Sequence, residues 1–244
     1  MPTTTFDKDV KQGKLAERFL HKYFFVKQNP NSVLDDTEYP SDDQFAGVDI
    51  VVNMSNGTKV YHDIKAQMDY INNPKQTFIM ELSYLKDGVE KLGWALRTDL
   101  KTNFYTIALI HRAKLLKGKL VNFEDIECVE IIMVHKSKIF SFLRGIEERT
   151  GNNLYNTANA FRHSVLTERG KKPYDFIDGV VIHCSTNKAE KPVCLVVKLE
   201  KWLELMPEGK NLHYLVTKNG FIEVPNGCVI NGTVIDNVIK YNHI

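Results

Sequence analysis

Asn56-Gly57 lies between two β-rich runs, GVDIVV (47–52) and KVYHDIKAQ (59–67). Asn-Gly between such runs is the strongest short-range signal for a hairpin. It makes the two strands antiparallel neighbours, and that pairing decides which side chains meet. Asp49 on the first strand is brought near Asp63 on the second. Residues two apart on a strand share a face. Asp63 and Lys65 therefore project together, and Ile64 projects into the opposite layer.

Two carboxylates and an ammonium group on adjacent strands are an expensive arrangement for an ordinary core. A same-face salt bridge between Asp63 and Lys65 on a solvated strand is one account of them. A metal site with a lysine beside it is the other. The first helix bears on the choice. Thr5 or Asp7 can cap a helix running to about Val26, with Val10, Leu15, Ala16, Phe19, Leu20, Tyr23 and Phe24 at helical spacing. Glu17 falls in line with Gly13, Leu20 and Phe24, on or beside that apolar stripe, and Lys14, Arg18 and Lys22 fall on the solvated face. Glu17 thus offers a third carboxylate. Carboxylate oxygens suit a hard divalent cation, above all Mg²⁺, with Mn²⁺ as a substitute.

Residues 27–46 have the composition of a loop, with an acidic run at Asp35, Asp36, Glu38, Asp42 and Asp43. Residues 77–85 read as a strand or short helix from which Glu81 and Ser83 could reach the site. Residues 102–110 read as a buried strand, 111–119 as a basic turn, 128–136 as a strand, and 137–149 as an amphipathic helix ended at Gly151. After Gly151 the texture changes. A polar stretch carries Arg162, His163, Arg169, Lys171 and Lys172, and short apolar runs follow. The expected fold class is α/β, a central mixed β-sheet flanked by helices. Residues 1–150 form the core, and residues 151–244 a strand-rich section for target recognition, dimerisation or extension of the core.

Composition excludes several classes. The chain of 244 residues is 43% hydrophobic and 25% charged, as ordinary globular proteins are. Its net charge of +2 gives no global field for nucleic acid, so such a partner needs local basic patches. Cys128, Cys184, Cys194 and Cys228 form no C-x-x-C pair and read as small buried hydrophobes in a reducing compartment. The N-terminus lacks the apolar run of a secretory signal, and no window is long and apolar enough for a membrane span, so a cytoplasmic protein is expected. Phosphate-binding glycine loops, H-E-x-x-H and G-x-S-x-G are all missing. His62 and His111 read as structural neighbours of the site rather than as part of it.

Gly47-Val48-Asp49-Ile50, then Asp63-Ile64-Lys65, with Glu17 upstream, resembles the PD-(D/E)XK nuclease superfamily. Val48 stands where the name-giving proline would be, and Asp63 replaces the commoner Glu with a shorter reach. The resemblance covers roughly residues 7–150 and implies a restriction-endonuclease-like core. It implies that Asp49 and Asp63 bind metal, that Lys65 is the catalytic lysine and that Glu17 is a helix-borne ligand. Gln67 matches a position where many relatives carry a polar active-site residue. The implied activity is Mg²⁺-dependent hydrolysis of DNA, by an endonuclease that acts as a homodimer where both strands are cut. Arg112, Lys114, Lys117 and Lys119, and the later Arg162, Arg169, Lys171 and Lys172, are candidates to track the phosphate backbone. Two rivals stay open: a nucleic-acid-binding or assembly protein that keeps the fold without turnover, and a structural α/β domain with a chance D-x-K.

Overall fold

The computed structural model describes residues 5–35, 46–167, 174–177, 179–205, 212–225, 228–230 and 241–243. A first helix, α1 (Thr5–Leu20), continues through a π-helical turn at His21–Phe25 and a last short turn at Val26–Gln28. In chain order the strands are β1 (Ser32–Leu34), β2 (Ile50–Asn53), β3 (Lys59–Ala66), β4 (Thr77–Lys86), β5 (Val89–Leu92), β6 (Phe104–Ala113) and β7 (Ile126–His135). They continue with β8 (Tyr174–Ile177), β9 (Val180–Cys184), β10 (Val193–Lys198), β11 (His213–Thr217), β12 (Gly220–Glu223), β13 (Cys228–Ile230) and β14 (Tyr241–His243). The fold is mixed α/β. A seven-stranded sheet has the order β1-β2-β3-β6-β7-β11-β12, a five-stranded sheet the order β5-β4-β10-β9-β8, and β13 pairs with β14. In the larger sheet β3 and β6 run parallel and the other neighbours antiparallel, so the sheet is mixed, as expected.

The chain forms two compact units, and neither is continuous in sequence. One comprises residues 1–75, 101–136 and 206–244, and the other residues 76–100 and 137–205. Residues 137–150, grouped above with the first part of the chain, fall in the second unit. Residues 206–244, grouped with the later part, fall in the first.

In the first unit α1 lays Ala16, Phe19 and Leu20, and the π turn lays Phe24, against Ile64 of β3, Ala108 and Ile110 of β6, and Val129, Ile131 and Met133 of β7. The strand residues alternate, so one face of the sheet meets the helix. Each such large side chain removed from water contributes about 1.5–3 kcal/mol. The π turn has a local reason. Phe24 and Phe25 are consecutive yet both buried. The wider turn lets Phe24 pack on Tyr214 and Phe221 while Phe25 meets the His62 ring at 4.8 Å. The three residues of β1 were hidden in the loop-like composition of 27–46. They form an edge strand, pairing Ser32 with Val52 and Leu34 with Ile50. Asp36, Glu38, Asp42 and Asp43 lie outside the described residues.

The basic turn is shorter than its composition suggested. Only residues 116–119 make the turn, with Lys117 and Gly118 both at positive φ, +50° and +75°. Two successive positive angles are what a type I′ connection needs. His111 instead belongs to β6 and is buried.

The second unit is built on β4, β9 and β10, whose Met80, Ile182, Leu195 and Val197 are buried. Phe78 meets Trp202 edge-on at 5.2 Å. The helix Lys136–Thr150 buries Ile139, Leu143 and Ile146 as its spacing predicts, and it ends at Gly151 with φ +66°. A helix forms within the polar stretch after it. It is the helix Leu154–Thr167, capped by the Asn153 side chain, which accepts the Asn156 N–H at 3.1 Å. Arg162 lies on the buried stripe of that helix. It donates to Ser83 Oγ at 2.5 Å, Asn159 Oδ1 at 2.9 Å and the Lys191 carbonyl at 3.0 Å. A guanidinium enclosed this way cannot track phosphates, and Ser83, considered above for the site, is engaged by it. Among the described residues, no helix is long and apolar enough to cross a membrane.

Candidate active site

The β2–β3 ladder pairs Ile50 with His62, Val51 with Tyr61 and Val52 with Val60. The turn that sets this register is closed by Asn56, whose side chain accepts the Thr58 N–H, and by Gly57 at φ +83°. One step further along, the register faces Asp49 with Asp63. The expectation that the hairpin brings these two carboxylates together is met. Asp49 differs in one respect: it lies just ahead of β2 rather than within it. There the ladder opens. The Asp49 N–H still donates to the His62 carbonyl at 2.9 Å, but the Asp49 carboxylate takes the Ile64 N–H, at 2.7 Å. The Asp49 carbonyl is then free to accept from the Asp35 N–H at 2.9 Å.

Asp63 and Lys65 share a face, with Lys65 Nζ 2.7 Å from Asp63 Oδ1. Ile64 points the other way, into the core beside α1. Asp63 is 4% exposed, whereas the Lys65 side chain keeps 26% of its surface. The solvated salt bridge considered above therefore does not describe this pair, because its acidic half is inside the protein. Glu17 is buried on α1, as its place on the stripe predicts.

Lys14 corrects the helix reading. It is buried rather than solvated, with Nζ 2.9 Å from Glu17 Oε2 and 2.6 Å from the Asp35 carbonyl. The Lys14–Glu17 spacing of i, i+3 was visible in the sequence and was the signal that could have found it.

The electrostatics follow from burial. Loss of water raises the Asp49 carboxyl from its ordinary 3.8 to about 7, with the neighbouring Asp63 charge adding to the rise and Lys65 opposing it. Burial, then the Asp49 charge, raises Glu17 from 4.5 to about 8 against the pull of Lys14. Asp63 is also raised by burial, with Lys65 opposing. Each carboxylate is affected by another of the three, so they form one interacting group that two ammonium groups only partly neutralise. Raised acids beside a partly exposed lysine mark a functional-site candidate.

An oxygen-rich, under-neutralised group fits a hard cation. Glu17 Oε2 is a buried atom without an aligned hydrogen bond among the described residues, despite its ion pair with Lys14. No three His, Cys, Asp or Glu side chains among the described residues are gathered tightly enough to hold an ion jointly. Mg²⁺ does not require three, since one or two carboxylates with waters and phosphate oxygens complete its octahedron. The adjacent Asp49 and Asp63 carboxylates are the pair the structure offers, and the Glu17 carboxylate is near enough for its charge to act on Asp63 and for that of Asp49 to act on it.

The other expected residues are placed as follows. Gln67 follows β3, and both ends of its side-chain amide bond the Lys75 backbone, at 3.0 and 3.3 Å. That clamps the 68–75 loop. Arg112 pairs with Glu127 at 2.7 Å. Lys114 is 3.9 Å from the same carboxylate and largely exposed, and Lys117 and Lys119 are exposed on the tight turn. Arg169, Lys171 and Lys172 lie outside the described residues. His62 is sandwiched by Phe25 and Phe104, and burial lowers it to about 3, so it stays neutral.

Sequence reasoning also missed a buried trio. Glu130 of β7 accepts from His111 Nε2 at 2.7 Å and His213 Nε2 at 2.6 Å, ring nitrogens supplied by the flanking strands β6 and β11. The partners are far apart in the chain, so only the strand order could have revealed them. Comparison of the chain with family models, curated proteins and solved structures returned no match.

Proposed function

We propose that the chain is a Mg²⁺-dependent deoxyribonuclease of the PD-(D/E)XK kind, an endonuclease that hydrolyses DNA phosphodiester bonds. The reading rests on one observation above all. The Asp49 carboxylate stands beside Asp63 at the point where the hairpin opens, and Lys65 is held on Asp63 with part of its surface in solvent. Asp49 and Asp63 would hold the cation, with Glu17 as a further oxygen donor. Bound there, Mg²⁺ supplies charge neutralisation at a phosphoryl oxygen and a more acidic water.

The chain's own contribution is positional. Asp63 fixes the Lys65 ammonium, which can orient the attacking water or stabilise negative charge as it develops. Asp49 is fixed in turn by the Ile64 N–H, so its carboxylate cannot rotate away without breaking that hydrogen bond. Lys114, Lys117 and Lys119 are the exposed cations among the described candidates for the phosphate backbone, and replacing any of them by Ala would weaken binding independently of sequence. A homodimer is the assembly expected if both strands are cut.

The test is cleavage of plasmid DNA. The wild type should nick or linearise it with Mg²⁺ or Mn²⁺. Lys65→Ala should abolish cleavage while circular dichroism and DNA binding are retained. A wild type that cuts neither DNA nor RNA with either metal removes the enzymatic reading. A second reading draws on the pairing of both site lysines with carboxylates. It is a nucleic-acid-binding or assembly protein that keeps the site without turnover, and it requires binding without cleavage.

A further inference from the structure

Among the described residues, Lys14 is the one charged side chain paired within the site that the resemblance does not account for. Its ammonium is buried between Glu17 Oε2 at 2.9 Å and the Asp35 carbonyl at 2.6 Å. The Asp35 N–H in turn bonds the Asp49 carbonyl. Lys14 therefore ties α1 to the backbone that carries Asp49, and its charge acts on Asp49 as well as on Glu17. A buried ammonium is retained only where its partners repay its lost hydration. Here the main partner is a carboxylate whose contacted oxygen has no aligned hydrogen bond among the described residues.

We infer that Lys14 is a tethered internal cation that occupies the charge position beside Glu17 and competes with a divalent ion for the carboxylate group. The inference rests on the metal-site reading above and deepens it. With no divalent ion present, Lys14 keeps the helix carboxylate directed at the hairpin. A divalent ion entering near Glu17 must share that carboxylate with a fixed positive charge. Lys14 thus sets how much free cation is needed to fill the site, and it is a positioning residue rather than a catalytic one.

The experiment is titration of the full-length protein with Mn²⁺, followed by calorimetry and by the loss of free-ion signal in electron paramagnetic resonance. The variants are Lys14→Met, which keeps the apolar stem, and Lys14→Arg, which keeps the charge. Removing one unit charge a few ångströms from a divalent ion in a partly buried site should tighten Mn²⁺ binding by about tenfold or more. Lys14→Arg should bind as weakly as the wild type. Without metal, Lys14→Met should melt below the wild type, and saturating Mn²⁺ should close that gap. Equal or weaker Mn²⁺ binding by a folded Lys14→Met overturns the inference. If Lys14→Met does not fold, Lys14→Arg and Lys14→Gln decide instead: similar Mn²⁺ affinity in those two also overturns it. Asp49→Asn separates the two levels of the argument. If Asp49→Asn leaves Mn²⁺ binding unchanged, the metal-site reading itself fails. If it abolishes binding while Lys14→Met changes nothing, only the role of Lys14 falls.

Discussion

Replacing Asp49 by Asn should stabilise this protein in metal-free buffer, and the gain should grow with pH. The Asn side chain can still accept the Ile64 N–H through its Oδ1, so the bond that anchors Asp49 survives. What is removed is a charge that burial and the Asp63 carboxylate oppose. The sign follows from which state holds the proton. In the unfolded chain Asp49 ionises near 3.8, whereas in the folded protein it does so only at about 7. The folded state therefore binds more protons across that window, and wild-type stability falls as pH rises from about 4 to 7. Below the window the two states are equally protonated and nothing is lost. Above it the cost is complete, about 4 kcal/mol at 1.36 kcal/mol per pH unit of displacement.

Asp49→Asn lacks this cost. Its advantage over the wild type should be about 2 kcal/mol at pH 5 and about 4 kcal/mol at pH 8. That is a large share of the 5–15 kcal/mol that holds a typical domain folded. The assay is urea denaturation with EDTA at pH 5, 6.5 and 8. Far-UV circular dichroism is the appropriate probe, because Trp94 and Trp202 both lie in the unit that does not carry the site. An advantage that is absent, or that stays constant between pH 5 and 8, would show that the fold does not oppose the Asp49 charge. The electrostatic account of the site would then be wrong.

Two further perturbations test the framework around the site. Glu130→Gln replaces an acceptor of two ring N–H groups by an amide that can accept at only one end. It should cost about 2–4 kcal/mol at pH 7 in urea denaturation. Burial alone would raise Glu130, but the hydrogen bonds from His111 and His213 outweigh it and leave the carboxyl below its ordinary value. The deficit of the variant should therefore shrink as pH falls through the acid range; a deficit independent of pH would count against the ionised carboxylate. Gly93→Ala would place a Cβ 2.2 Å from the Glu81 carbonyl oxygen, far inside contact distance, in a backbone held by the Gly93 N–H to the Leu82 carbonyl. It should cost about 3 kcal/mol or more, and a melting temperature within a degree of the wild type would refute that packing.

What could be read from the sequence was what is local. Asn56-Gly57 dictated a turn, the turn dictated a register, and the register placed Asp49 against Asp63 while sending Ile64 into the core. Each step spans fewer than about twenty residues and depends on backbone geometry alone. The strand β1 and the helix Leu154–Thr167 were hidden for opposite reasons. β1 has three residues set among loop formers, and its stability comes from pairing with β2 rather than from its own composition. The helix is rich in Asn and Thr, and its buried face includes Arg162, which reads as surface until Ser83 and the Lys191 carbonyl are placed around it. Neither the parallel pairing of β3 with β6 nor the excursion of residues 76–100 into the other unit leaves a compositional mark.

Lys14 shows where a helical wheel loses resolution. Residues 14 and 17 are neighbours on one helix surface, so assigning one to the core edge and the other to solvent drew a finer line than 3.6-residue periodicity allows. The structure places both inside and lets them pair. That pairing changes the meaning of the hairpin. Asp49, Asp63 and Glu17 are more acidic charge than Lys14 and Lys65 neutralise, in surroundings that oppose ionisation. Such a cost has no structural return at Asp49, because asparagine could keep the Ile64 hydrogen bond without the charge. Where a fold carries a charge that its packing does not need, the charge itself is the candidate for function.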